Sequence, residues 1–168
     1  RPAPSPQPDG TRCWGPVRPA RLAEAVNAAA RVASGDALVL LDNALPPGAD
    51  QLADAADYLH RRTDCGMIAG RTRTPGGEVD ASGLPALPGD GNAMIRQIAF
   101  DQAGGLYKGL GRVGRGYDLG LRLWRAGYRV EAFDDFEFER EQNATLNDAS
   151  AREAMLREGL LDRLIVAD

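Results

Sequence analysis

The chain is poor in the residues that most often carry chemistry by themselves. Among its 168 residues there is one His (His60), there are two Cys (Cys13 and Cys65), and Lys108 is the only Lys. A Ser-His-Asp or Cys-His set would have to use His60, and nothing places a nucleophile near it. His60 stands beside Arg61 and Arg62 at the end of a polar helical pattern, where favourable contact with a helix C-terminus accounts for it. Cys13 and Cys65 have no CxxC or Cys/His spacing, which excludes a disulfide framework and a structural zinc site and leaves at most a single bridge. No apolar run approaches the roughly 20 residues that span a bilayer, and no basic-then-apolar leader opens the chain. A soluble, cytoplasmic protein is expected. The net charge of -4, with signs nearly balanced, provides no field for nucleic acid or an anionic membrane.

What is present is an alternation of amphipathic and apolar segments. Pro2, Pro4, Pro6, Pro8, Pro16 and Pro19 make residues 1–19 read as an extended linker or edge segment, because proline removes donors and fixes φ. Leu22, Val26, Ala29, Ala30 and Ala33 recur at helical steps over 20–33, stopped by Ser34-Gly35-Asp36. Residues 37–41 and 65–70 are continuous apolar runs, expected as strands buried on both faces of a parallel sheet. Between them 49–62 reads as a helix with Leu52, Ala55, Ala56 and Leu59 on one face. Residues 71–90, rich in Gly, Pro, Thr and Asp, predict a loop or small hairpin.

Further on, 93–95 is strand-like and 97–103 helical, with Gly104-Gly105 as the stop. A flexible segment is expected up to Gly116, then a helix over 117–126 closed by Gly127, and a strand from Tyr128 to Phe133. The run Asp134 to Glu139 alternates acid and aromatic as an amphipathic strand with one wet face does. Ser150 would cap a final helix with Leu156, Leu160, Leu161, Leu164 and Ile165 in one stripe, within a C-terminal segment 143–168. Trp14 and Trp124 read as core or interface aromatics. The pattern predicts an α/β layered domain with a mostly parallel sheet flanked by helices.

One ordered set of short motifs goes further. It comprises Ala25-Val26-Asn27, Ala33-Ser34-Gly35-Asp36, Asp42-Asn43-Ala44, Gly91-Asn92-Ala93-Met94-Ile95-Arg96, Gly104-Gly105-Leu106, Gly114-Arg115-Gly116-Tyr117-Asp118-Leu119 and Ala126-Gly127-Tyr128-Arg129-Val130. In that order and spacing the chain resembles a family-2 glycosyltransferase of the GT-A type over residues 20–142. Such enzymes move a sugar from a nucleotide diphosphate to an acceptor. The resemblance implies a GT-A-like domain whose nucleotide-binding first strands, roughly 70–80 residues in the family, are missing or altered ahead of Ala20. A sheet edge would then need a partner chain or self-association to cover it.

The resemblance also implies where the chemistry has changed. Leaving diphosphate needs a counter-charge, in the family a divalent metal such as Mn or Mg held by carboxylates, and the acceptor hydroxyl needs a base. Asp42-Asn43-Ala44 stands at the metal-binding D-x-D, with a methyl in place of its last acid. Arg115-Gly116 stands where the family has an acidic pair that includes the base. Arg140 stands where many members have a His near the metal. The expected ligand is therefore a nucleotide diphosphate sugar without a resident metal. Asp42, Asn43, Asn92, Arg115, Asp118 and Arg140 are the candidate contacts, and transfer is weakened or lost. Asp118 also reads as a first-turn acid complementing a helix dipole. A non-catalytic binding or assembly module is the alternative.

A second alternative rests on Gly109, Gly111 and Gly114, which match GxGxxG and are followed by a helix, a strand and Asp134-Asp135 at the ribose-binding distance. It requires a strand running straight into Gly109, and residues 104–108 do not predict one.

Overall fold

In a computed structural model, residues 5–6, 12–13, 22–41, 44–45, 47–73, 79–80, 92–110 and 112–140 are described. The expected helix from Ser150 and most of the 1–19 and 71–90 segments lie outside them. Two short strands, β1 (Ser5–Pro6) and β2 (Arg12–Cys13), pair antiparallel within the proline-rich stretch. Helix α1 (Leu22–Ala30) leads to β3 (Ala37–Leu40), then a two-residue β4 (Ala44–Leu45) and α2 (Ala49–Arg61). Strand β5 (Cys65–Arg73) turns back through β6 (Val79–Asp80), the hairpin expected from the turn-rich composition. Strand β7 (Ala93–Arg96), α3 (Gln97–Gln102), α4 (Arg112–Arg125) and β8 (Arg129–Arg140) complete the chain order.

The sheet runs β3-β7-β5-β8-β4 with β6 at the side of β5. The α/β layering is as expected, whereas the mostly parallel sheet is corrected to a mixed one. Strands β3, β5 and β8 share a direction, but β7 runs against both β3 and β5, so β5 with β8 is the one parallel pairing among the described strands. Running antiparallel to β5, β7 enters at the sheet end where β5 leaves, an arrangement that needs no crossover connection.

Helices on both faces explain why the strands are apolar without a period of two. Ala93 and Ile95 of β7 join Met67, Val130, Phe100, Leu119 and Leu123 under α1, α3 and α4. Met94, between them, joins Ile68, Cys65, Phe136 and Phe138 under Ala55 and Leu59 of α2. Each fully buried Phe of this second layer contributes about 1.5–3 kcal/mol of burial. The register of β8 slips against β5 between Ala69 and Arg71, where Gly70 has no room for a side chain because Phe138 and the Phe136 carbonyl occupy the space. Cys65 is buried and its thiol is free.

Three local expectations change. Strand β3 is not covered on both faces, since Val39 is 37% exposed, and among the described strands it borders β7 alone. Helix α4 starts at Arg112 rather than 117, so Gly114, Arg115 and Gly116 are helical. Trp124 on α4 is exposed and outside the core. Gly127 ends α4 as predicted, at φ +89, with Gly127 N–H donating to the Trp124 carbonyl and Tyr128 N–H to that of Leu123, the paired bonds of a Schellman stop.

Candidate functional site

Ligands in open α/β sheets gather beyond the carboxyl ends of co-directional strands. Leu40 pairs with Ala93, which sets Asn92 beside the exit of β3, from which the chain continues toward Asp42 and Asn43. Asn92 is 1% exposed, and its backbone carbonyl accepts from Gly70 N–H at 3.4 Å. Asp42 and Asn43 themselves lie outside the described residues. Ala44 lies directly opposite Arg140 in the β4/β8 pairing. The two positions assigned to the metal neighbourhood, nearly a hundred residues apart in sequence, are thus adjacent in the sheet.

Arg115 and Gly116 reach the same end from α4. They line a groove of about 330 Å³ with Val26 of α1, Leu38 to Leu40 of β3, Leu41 and Leu106. The groove walls are aliphatic, and Arg115 is the charged residue among the lining side chains. The structure thus places Arg115 and Gly116 in the groove beside β3, Asn92 beside the exit of β3, and Ala44 opposite the backbone of Arg140 at the β8 side of the sheet. It does not bring Asp118 with them. Asp118 lies in the middle of α4, not in its first turn, so the helix-dipole reading is replaced by a pairing. Its carboxylate accepts from Arg122 Nε at 2.9 Å and from Nη2, and Arg122 Nη1 donates to the Ala103 carbonyl. That chain of bonds fixes the end of α3 to α4.

The donor set determines what this site could do chemically. A divalent cation needs several carboxylate oxygens in convergence. Among the described residues no three His, Cys, Asp or Glu side chains converge to hold a metal ion, and Ala44 offers no lone pair. Arg115 is the charged side chain that lines the groove, and guanidinium recognises phosphate oxygens in a planar, two-pronged manner.

The dinucleotide reading loses its premise. Residues 103–110 form turns and bends, and α3 rather than a strand precedes Gly109. The flexible segment expected there is also corrected, because buried side chains fasten it. Asn27 is 8% exposed on α1; its Nδ2 donates to the Leu106 carbonyl at 2.9 Å, and its Oδ1 accepts from Leu106 N–H at 2.8 Å. Sequence reasoning quoted Asn27 only as part of a motif. The signal was an amide on the apolar stripe of an alanine-rich helix, where a buried polar group needs partners.

A polar cluster on the other face has no counterpart in the candidate list. Glu131 accepts from Tyr58 Oη at 2.5 Å, from Arg62 Nη2 at 3.0 Å and pairs with Arg129 Nε at 2.7 Å. The bond to Glu131, with burial second, raises the Tyr58 pKa. Burial, with Glu131 adding to it, pushes the Cys65 thiol up to about 11. An inert thiol and a satisfied carboxylate make this cluster a joint between α2 and β8.

No protein-family model and no curated protein sequence matches the chain. Solved structures do. The mannosyltransferase PcManGT of Pyrobaculum calidifontis, in complex with GDP-Man and Mn2+, is similar over 84% of this chain and 43% of its own, with TM-score 0.60 and 20% identity. A mycobacterial protein is similar over 90% and 53%, with TM-score 0.62 and 16% identity. TarS (residues 1–349) of S. aureus is similar over 83% and 50%, with TM-score 0.50 and 13% identity. The chain spans about half the length of these structures. At such identities the likeness establishes the fold: a glycosyltransferase-like α/β domain.

Proposed function

We propose that residues 20–142 form a glycosyltransferase-like unit that binds the diphosphate of a nucleotide sugar through Arg115, with Arg140, Asn92, Asp42 and Asn43 as neighbouring contacts, and that transfers sugar weakly or not at all. The observation that supports this reading is that Arg115 and Gly116, at the resembled base positions, line the groove beside β3, while Ala44 and Arg140, at the resembled metal positions, are paired in the same sheet. Guanidinium can neutralise a diphosphate, but no carboxylate among the described residues stands where an acceptor hydroxyl would lose its proton. The likeness to a structure holding GDP-Man makes that nucleotide sugar the first probe.

The test is calorimetric titration with GDP, UDP and GDP-mannose, with and without manganese. Binding that changes little on adding manganese, and that weakens about 10- to 100-fold in Arg115→Ala, is expected for a charge-assisted phosphate contact. Binding that demands manganese would overturn the assignment of Ala44.

The open edge of β3 favours a second element of the reading. Among the described residues no strand pairs with its outer side, and Leu22, Val32, Val39 and Leu41 are exposed around it. An uncharged, unpaired edge invites strand addition. A partner chain or a second copy covering it would make the unit an assembly module as well.

A further inference from the structure

The groove beside β3 is chemically one-sided. Strand β3 gives it Leu38 and Leu40, α1 gives Val26 and Ala29, and α4 gives Leu119, with Arg115 as the charged side chain in the lining. A diphosphate has a use for Arg115 alone. The rest of the trough, within a volume of about 330 Å³, is aliphatic surface that an apolar occupant would remove from water. Its size suits a row of side chains rather than a whole helix, as a ridge on one element fills the furrow of another.

The chain carries such a ridge within covalent reach. Leu156, Leu160, Leu161, Leu164 and Ile165 recur at helical steps in a stretch outside the described residues. A helix of that length is marginal by itself in water and gains most of its stability from a surface that takes its apolar stripe. The sheet delivers the stretch to the groove. Leu41 and Ala44 are three residues apart, so their Cα atoms are separated by at most about 11 Å. Ala44 lies opposite Arg140, at about 5 Å in a ladder. Strand β8 therefore ends within about 16 Å of Leu41, which itself lines the groove. Residues 141–149 span up to about 30 Å when extended. So short a tether holds the stripe at an effective concentration on the order of millimolar, which a second copy at ordinary concentration does not reach. That difference assigns the groove to the chain's own segment.

We propose that the leucine stripe of residues 156–165 docks into the groove of its own chain, covers Arg115 and competes there with a diphosphate. The docking stands on the groove and the tether; only the competition rests on the transferase-like reading. The aliphatic side chains fill the trough, and Asp162, off the stripe by helical step, stays in water. The chain thereby supplies its own competitor for the anion site.

The test uses the full chain with methyl-labelled Leu, Val and Ile. Methyl–methyl NOEs are expected between Leu160 or Leu164 and Val26 or Leu38, independent of protein concentration. With Leu160→Asp and Leu164→Asp together these contacts should vanish and the Val26 and Leu38 signals should move. Ile68, in the opposite layer, should keep its position, and Ile95 its amide protection. Asp162→Ser should change none of them. GDP should bind the doubly substituted chain at least about 5-fold more tightly, the gain expected when a competitor filling about four-fifths of the sites is removed. Absence of the NOEs would overturn the docking. So would NOEs found only between labelled and unlabelled chains, which would give the groove to a second copy. NOEs with equal GDP affinity in the two forms would overturn the competition. NOEs with GDP bound by neither form would uphold the docking and remove the diphosphate site alone.

Discussion

The two faces of the sheet are finished to different degrees. Under α2 the layer is closed: Phe136 and Phe138 pack edge to face at 4.6 Å, and Tyr58, Arg62, Arg129 and Glu131 lock the helix end to β8. Arg96 reaches into the same corner, where its guanidinium takes the carbonyls of Leu59 and Arg62. Under α1 and α4 the layer is closed only toward β8. Toward β3 it opens into an aliphatic groove, and Leu41 is 45% exposed. The closed face carries structural polar chemistry, a network of Tyr58, Arg62, Arg129 and Glu131. The open one carries the candidate site. A site needs unfilled space and groups held ready beside it, and the cost in stability is borne by the closed face.

The comparison can be tested most severely at Gly70, which belongs to the closed layer. Gly70→Ala places a methyl onto Phe138 and the Phe136 carbonyl. Overpacking against backbone should cost about 3 kcal/mol, seen as a melting temperature lower by about 6–12 °C. A loss below about 1 kcal/mol would mean that β8 is looser than its packing implies.

A smaller effect is expected in alkali. The folded Cys65 thiol titrates near 11 against an ordinary 9.0, so both states stay protonated below about pH 9 and stability is flat there. Between about pH 9 and 11 the unfolded chain loses its proton first, and stability should fall by about 2–3 kcal/mol. Tyr58, also raised, acts in the same direction at still higher pH. Chemical denaturation of Cys65→Ala across this range should show a shallower decline; an identical slope would remove the thiol from the account.

The smallest change in stability is expected on the open side. Val39→Lys puts a charge on the exposed edge of β3 and should alter unfolding free energy by no more than about 0.5 kcal/mol. It should nonetheless abolish concentration-dependent association seen by light scattering, because charge on an edge strand blocks strand addition. A large destabilisation would show that Val39 is core after all.

Much of the architecture was legible from local pattern. The helical spacing of Leu22, Val26 and Ala30 marks α1, though the residues it buries are Ala23, Asn27 and Ala30, and Ala55 with Leu59 marks the buried face of α2. Gly104-Gly105 and Gly127 mark helix stops, because only a residue without Cβ takes φ near +75 to +90 freely. The site was legible as a list of positions and not as an arrangement. Asp118 and Arg122 read as separate surface charges on one helix, and their shared task at Ala103 depends on where α3 ends. Arg112 to Gly116 read as loop because Gly114 and Gly116 depress helix propensity, yet packing of Leu119 and Leu123 on the sheet extends the helix back through them.

By itself the sequence determined that 22–30, 49–61 and 97–102 would be helical and 37–40, 65–70 and 93–95 extended, that helices would stop at Gly104 and Gly127, and that acids were absent at Ala44, Arg115 and Gly116. Those properties are written in side-chain type and period, which act within a few residues. Only the tertiary structure decided that β7 runs against its neighbours, that Ala44 faces Arg140, that no described strand lies on the outer side of β3, and that Asn27 holds Leu106 from 79 residues away. A strand's pattern records which of its faces is buried. It does not record which strand lies beside it or in which direction, because that choice is made by loop closure and by the packing of both layers at once.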